Sequence, residues 1–330
     1  MKLNAIKIRF ISYIISGVLF LFSIFAIGFL PLNLGIDMTG GEKIEYSYTH
    51  ELDLDKFKSE VKSFTEEFDK KNNGIINNTQ SYKVAGENTV VVVAGFDEIK
   101  NTKDISLEDL KKQYKDELTM KLGTEFSEDN YTSIGKSFGD YIKNTAFLTL
   151  IVAIISIALY IAYAFNGHVA GISALSFATI TIITLFHDVF ISSGLYIITS
   201  SILPEFQIDT FFITALLTIL GYSINDTIVV LDRIRANLKV YGGRGKSLEV
   251  IINDSVNETI TRSIYTSLTV LAVLLSILFF GPETVKGFVL VMVFGTIVGT
   301  FSSIFIASPI LFELNKNKIL KKYEEPKDED

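Results

Sequence analysis

Asn225 and Asp226 stand near one end of an apolar run that begins about Thr210 and is long enough to cross a bilayer. A carboxylate at such depth costs roughly 2.5–3.5 kcal/mol on insertion scales, so it is expected to face a partner or a water path. Thr218, Tyr222, Asn225 and Asp226 fall close to one face of that span. On the next span, Thr259, Arg262, Thr266 and Thr269 follow 3-4-3 spacing and share a face. On the preceding span, Thr184, Asp188 and Ser192 align, with His187 beside them. An acid, a base and an imidazole on separate membrane helices are the parts of an ion pair or a proton relay. Asp226, Arg262 and Asn225 are therefore the candidate relay, with His187, Asp188, Tyr222 and Thr266 as supporting polar residues. Two plainer readings compete. Asp226 and Arg262 form a static pair that braces the bundle, or His187-Asp188 is a snorkelling pair that satisfies backbone groups.

Other chemistries find little in the chain. There is no cysteine, which excludes disulfides and thiolate catalysis. His50 and His168 lack neighbouring ligands, so no metal site is expected. No phosphate-loop motif follows a strand, and Gly242-Gly243-Arg244-Gly245-Lys246-Ser247 has the wrong spacing and context, reading instead as a flexible turn. No long basic face suggests nucleic acid. Neither a cofactor nor enzyme chemistry is indicated.

The elements that must hold these residues are membrane helices. The chain is 48% hydrophobic and only 20% charged, with a mean hydropathy of +0.38; a soluble chain carries about 25% charge. Apolar segments lie at Phe10–Leu30, about Asn144–Phe165, Ala170–Ser200, Thr210–Leu231, Ser263–Phe280 and Gly287–Leu314, predicting six spans. The first is too long for the apolar part of a cleaved leader and reads as an uncleaved anchor. In the last span, Gly295, Gly299, Ser303 and Ala307 recur at four-residue intervals, a small-residue stripe expected to serve tight packing alone. Residues 31–143 differ in kind. Strand alternation at Gly41–Thr49, Ser81–Val84, Thr89–Ala94 and Phe126–Ile134 is interrupted by helical periodicity at Asp53–Phe68 and Ser106–Leu122, with Asp53 and Ser106 as N-caps. That β-α-β-β-α-β order predicts a ferredoxin-like domain.

All five arginines (Arg9, Arg233, Arg235, Arg244 and Arg262) fall on one side if the N-terminus is cytoplasmic. The domain at 31–143 is then external. Residues 1–30 comprise the cytoplasmic N-terminus and first span, and 144–314 hold the remaining spans with a cytoplasmic loop at 232–262. Residues 315–330 form a cytoplasmic tail, acidic and solvated from Tyr323. Within the loop, Ser247–Ile260 is amphipathic and is expected to lie along the inner membrane surface. The expected fold class is an α-helical polytopic membrane protein, half of a larger bundle, with an external α+β domain.

Several strings resemble the SecF family of Sec protein-export membrane subunits. Leu34 to Gly41 (LGIDMTGG) is similar to the family's motif after its first span, placing Gly35, Asp37, Gly40 and Gly41 on it. Phe186-His187-Asp188-Val189 resembles its HDV element, and Gly221–Asn237 its fourth-span signature. Ser255–Thr269 resembles a further string containing the family arginine, and Phe301–Pro309 the end of the last span. Lys136 stands where the family usually has proline and Ser263 replaces a common threonine, while about Tyr46 to Asp129 matches by pattern only. The resemblance implies an RND-superfamily half-bundle that pairs with SecD and associates with the SecYEG channel. It implies use of the proton-motive force to draw exported preproteins outward after the ATP-driven step of SecA. It also places Asp226 and Arg262 on positions implicated in proton movement. The alternatives are an independent RND-type exporter of lipids or small molecules, and a non-energised brace for the channel.

Overall fold

The computed structural model describes residues 3–84, 86–96, 106–164, 168–318 and 320; the tail from Tyr323, with Lys321 and Lys322, lies outside the described residues. The chain divides into two compact units. One comprises Met1–Pro31, Leu148–Thr199 and Phe211–Asp330, and the other Leu32–Phe147 with Ser200–Thr210.

In the second unit a single turn, α2 (Ile36–Thr39), leads into strand β1 (Gly41–Tyr48). Helix α3 (Leu54–Lys71), strands β2 (Ile76–Lys83) and β3 (Thr89–Phe96), helix α4 (Leu107–Leu122) and strand β4 (Phe126–Ile134) follow. The sheet order β2-β3-β1-β4, antiparallel throughout, is that of the split βαβ arrangement. Both helices begin where the sequence supplies a cap: Asp53 accepts from Asp55 N and Lys56 N, and Ser106 from Asp109 N. The period of two sends Ile44, Tyr46, Tyr48, Val90, Val92 and Ala94 to the face under the helices, against Phe57, Phe64, Phe68, Leu110, Tyr114 and Leu118. β2 is longer than expected, starting at Ile76.

Six helices among the described residues are long and apolar enough to cross a membrane. Beyond α1 (Arg9–Phe29), these are α5 (Lys136–Ala164), α6 (Ala174–Ile202), α7 (Thr210–Tyr241), α8 (Leu248–Phe280) and α9 (Glu283–Ser302). The last continues through a π-helical turn at Ser303–Ala307 into α10 (Ser308–Asn315). A short β5–β6 hairpin (His168–Val169, Ile172–Ser173) precedes α6.

Two expectations need correction. The loop expected from residue 232 does not begin there: Asp232-Arg233-Ile234-Arg235 lies within α7, which runs on to Tyr241. Nor is Ser247–Ile260 a separate amphipathic helix: Ser247 caps α8, which runs unbroken to Phe280, and Leu248, Ile251, Ile252 and Val256 occupy its first turns. Their apolar face is taken up by protein, packing in one cluster with Ile6, Ile234 and Leu238. On another face, Asn257 both accepts from Leu3 N (2.8 Å) and donates to Leu3 O (2.7 Å), while Asn253 accepts from Ile6 N. The exposed Arg233 and the buried Asn237 of α7 both donate to Glu258 of α8. Loop 232–262 is thus mostly helix, with its turn near Gly243 and Gly245.

One residue of the α+β unit breaks its apolar rule. Glu42 shares the parity of Ile44 and is fully buried on the helix-facing side of β1. Tyr131 donates to its Oε1, and its Oε2 has no hydrogen-bond partner among the described residues. The buried Lys111 nearby donates to Ser133 Oγ (3.2 Å) and Ile134 O (3.3 Å). Burial pushes the Glu42 carboxyl up to about 7, against the opposing pull of the Tyr131 hydrogen bond and the charges of Lys111 and Lys115. A carboxyl that is harder to ionise when folded stabilises the fold fully below its ordinary pKa of 4.5 and loses that contribution as pH rises through about 7. Backbone protection of β1 and β4 in hydrogen exchange, corrected for intrinsic rates, should therefore weaken between these limits, by up to about 3 kcal/mol. Glu42→Gln, which still accepts from Tyr131, should flatten that dependence. An equally steep dependence in the variant would assign it to another group.

Candidate functional site

Helix α7 buries a recurring stripe of Leu216, Ile219, Leu220, Ser223, Asp226, Thr227, Val230 and Ile234, the spacing of a helix packed against neighbours along one side. Two acids of the membrane unit meet opposite fates beside this stripe.

Asp188 on α6 is fully buried and fully bonded. Its Oδ1 lies 2.8 Å from His187 Nδ1, and its Oδ2 accepts from Ser302 Oγ of α9 at 2.7 Å and from Ser223 Oγ of α7. His187 Nε2 in turn pairs with Ser16 Oγ of α1. One imidazole–carboxylate pair thus ties four helices together. The approach is possible because the last helix is small where it meets α7: a Cβ on Gly295 would fall 2.3 Å from Ile219. The π turn follows immediately after Ser302, upstream of Pro309, which has no N–H to continue an α-helical ladder. His187-Asp188 is accordingly not a snorkelling pair that serves backbone groups; its partners are side chains of other helices. Ser16, Ser223 and Ser302 were not legible as its partners. The only hint was that serines recur in otherwise apolar runs. Of the residues aligned with Asp188, Thr184 donates to Ile180 O at 3.0 Å, and Ser192 Oγ is buried without a partner among the described residues.

Asp226 is 5% exposed, and its Oδ2 makes no hydrogen bond among the described residues. Ser263 of α8 lies beside it outside hydrogen-bonding geometry, and Arg262 is near enough to act on it electrostatically. The two nevertheless form no ion pair: Arg262 is exposed and has no carboxylate partner among the described residues. The static Asp226–Arg262 brace is absent from this conformation. Tyr222 donates to Ser267 Oγ (3.0 Å), which meets Thr300 Oγ1 at 2.5 Å, so a short run of hydroxyls links α7, α8 and α9 next to the acid.

The polar faces are divided differently from the expectation. Thr218 and Asn225 are exposed while Asp226 is buried, and Thr259 is buried while Arg262, Thr266 and Thr269 are exposed. Thr218, Thr266 and Thr269 turn their hydroxyls to carbonyls of their own helices. Asn225 and Arg262 have no side-chain partner among the described residues. Gly35, Asp37, Gly40 and Gly41 are elsewhere, in the α+β unit, where they cap α2 and open β1. Among the described residues no cluster of three His, Cys, Asp or Glu could hold a metal.

Six membrane-length helices and an inserted ferredoxin-like domain define a multi-pass membrane protein, with a buried acid near an arginine that has no carboxylate partner among the described residues. The family described as "Protein export membrane protein SecD/SecF, C-terminal" matches residues 113–317. The chain is 35% identical over 301 residues to the protein translocase subunit SecF of Calditerrivibrio nitroreducens, covering 91% of this chain and 90% of that one. It is 32% identical over 305 residues to SecF of Thermodesulfovibrio yellowstonii, covering 92% and 91%. The crystal structure of SecDF from Thermus thermophilus, a translocon-associated membrane protein, superposes with a TM-score of 0.73 at 26% identity. That match covers 96% of this chain, which spans only 39% of the SecDF chain. The chain belongs to the SecF family of protein translocase subunits. Its relatives are named as such subunits, not as enzymes.

The two acids differ in a way stability can read. Asp188→Ala would leave an imidazole and two serines facing a void inside the bundle, at a cost of about 3 kcal/mol. Asp188→Asn should retain most of the stability, because its carbonyl accepts both serine protons and its amide can donate to His187 once that ring changes tautomer. Thermal unfolding in detergent should rank the wild type and Asn variant above the Ala variant. Equal melting of Ala and Asn variants would remove the network from the stabilising interactions.

Proposed function

We propose that this chain is the SecF-type half of a SecD–SecF assembly that uses the proton-motive force to promote late steps of preprotein export through SecYEG, after the step driven by SecA. Both termini and the α7–α8 turn are cytoplasmic, and the α+β domain lies on the opposite side of the cell membrane, in keeping with the distribution of arginines. Asp226 is the proton carrier, Arg262 its charge partner and Asn225 a polar relay neighbour. Tyr222 and Thr266 line the same faces, while His187 and Asp188 hold the bundle around them.

The observation that carries this reading is a buried Asp226 oxygen beside Arg262, neither with a side-chain partner among the described residues. A buried carboxylate of purely structural purpose is expected to be satisfied, as Asp188 is. The exposed Asn225 and Arg262 would be costly against lipid, so they call for a second polar surface, which a SecD bundle of matching size supplies. When Arg262 approaches Asp226, the charged form is favoured; when it withdraws, protonation is favoured. A proton crossing the membrane makes roughly 2.3 kcal/mol per 100 mV available to bias such a two-state cycle.

The test is completion of export of a translocation-arrested substrate in membrane vesicles, with and without an imposed proton gradient. Asp226→Asn keeps size and shape but cannot titrate, so the complex should assemble and its gradient response should disappear. Arg262→Met should be comparably inactive. A brace predicts instead that both single changes weaken assembly and that neutralising both residues together restores it. A wild-type gradient response from Asp226→Asn vesicles would exclude the relay.

A further inference from the structure

The family motif at residues 34–41 takes no part in the Asp226 site, and its packing gives it another task. Residues 33–35 run beside the segment that connects α6 to α7. Ile208 N donates to Asn33 O at 2.8 Å, Gly35 N donates to Ile208 O at 2.9 Å, and Leu34 and Ile208 form a parallel bridge. Asn33 Nδ2 adds bonds to Pro204 O (2.9 Å) and Phe206 O (3.2 Å). Asp37 completes the stitching: its Oδ2 accepts from Thr210 N at 2.7 Å and from Thr210 Oγ1. Thr210 is the first residue of α7, so Asp37 supplies from a distant segment the acceptor that a helix start otherwise takes from its own N-cap.

The glycines follow from this geometry. A Cβ on Gly35 would fall 2.7 Å from Asp37 Oδ1 and 3.0 Å from Asp209 Cβ, so only glycine lets the carboxylate fold back to Thr210. Gly40, at φ +71°, would place a Cβ 2.8 Å from the backbone nitrogen of Lys136, the first residue of α5. Directly after it, Gly41 begins β1, the central strand that pairs with both β3 and β4. One short segment thus grips the start of α7, the start of α5 and the root of the sheet.

We propose that Asp37 is a positioning residue that couples the α+β domain mechanically to α7, the helix that carries Asp226. The coupling runs from β1 through Gly40 and α2 to the Asp37–Thr210 bonds, and then along the continuous α7. This rests on the relay reading of Asp226. Within it, Asp37 decides whether a protonation event becomes domain movement, and it does not touch the proton.

The SecD-containing complex carrying Asp37→Ala, reconstituted in vesicles with the channel, separates proton passage from work. Gradient dissipation, followed with a pH-sensitive dye, should stay near the wild-type rate. Gradient-dependent completion of an arrested substrate should fall about fivefold or more, a coupling loss of ordinary allosteric size. Asp37→Asn should recover most export, because its amide oxygen still accepts from Thr210 N–H. Thr210→Pro removes both donors at a first helical position, where proline is tolerated, and should reproduce the Asp37→Ala phenotype. Wild-type export by Asp37→Ala, or loss of proton passage together with export, would overturn the proposal. Failure of both Asp37→Ala and Thr210→Pro to co-purify with the SecD partner would do so too, reducing the contact to a folding requirement. Asp226→Asn, run alongside, isolates the premise: if it still responds to the gradient, the relay reading fails whatever Asp37 does.

Discussion

A carboxylate inside a membrane bundle must be bonded, neutral or in use, and this chain contains both a bonded case and an unbonded one. Asp188 gathers an imidazole and two serine hydroxyls from other helices. Asp226, on the next helix in sequence and three residues beyond Ser223, has an oxygen with no hydrogen-bond partner among the described residues. The first acid holds α1, α6, α7 and α9 in register, and that register presents the second beside α8. The rest of the membrane unit can be understood as what makes this contrast possible. Gly295 lets the last helix close on α7, and Asn253 and Asn257 of α8 clasp the N-terminal segment.

Much of the fold was legible because two periodicities separate cleanly. Runs of about twenty apolar residues mark spans, and alternation bounded by caps marks a small α+β domain. The N-caps Asp53 and Ser106 were readable because their side chains bond locally. Boundaries failed where charge was taken as an end signal. Asp232 to Arg235 sits inside a helix that runs on to Tyr241, where Arg233 finds Glu258 on α8. The start of α8 was misassigned for a related reason: amphipathicity states that an apolar face is covered, but not whether lipid or protein covers it.

The candidate site was partly legible. Asp226 and Arg262 stand out because charge in an apolar span is rare. Their separation in this conformation is tertiary geometry and leaves no trace in spacing. The partners of Asp188 were hidden for a different reason, since a serine that serves a distant carboxylate looks no different in sequence from one bonded to its own helix, as Ser193 is. Glu42 was missed because it reads as an ordinary strand-edge charge, and only the parity it shares with Ile44 carries it inward.

The central claim is that Asp226, and not the bonded Asp188, exchanges a proton as the bundle changes state. Infrared difference spectroscopy of the SecD-containing complex in lipid, with a pH jump as the trigger, measures this directly through the carbonyl stretch of a protonated carboxyl group. The account predicts a carboxyl band that disappears in Asp226→Asn and persists in Asp188→Asn. A band that survives Asp226→Asn and is lost in Asp188→Asn would contradict it.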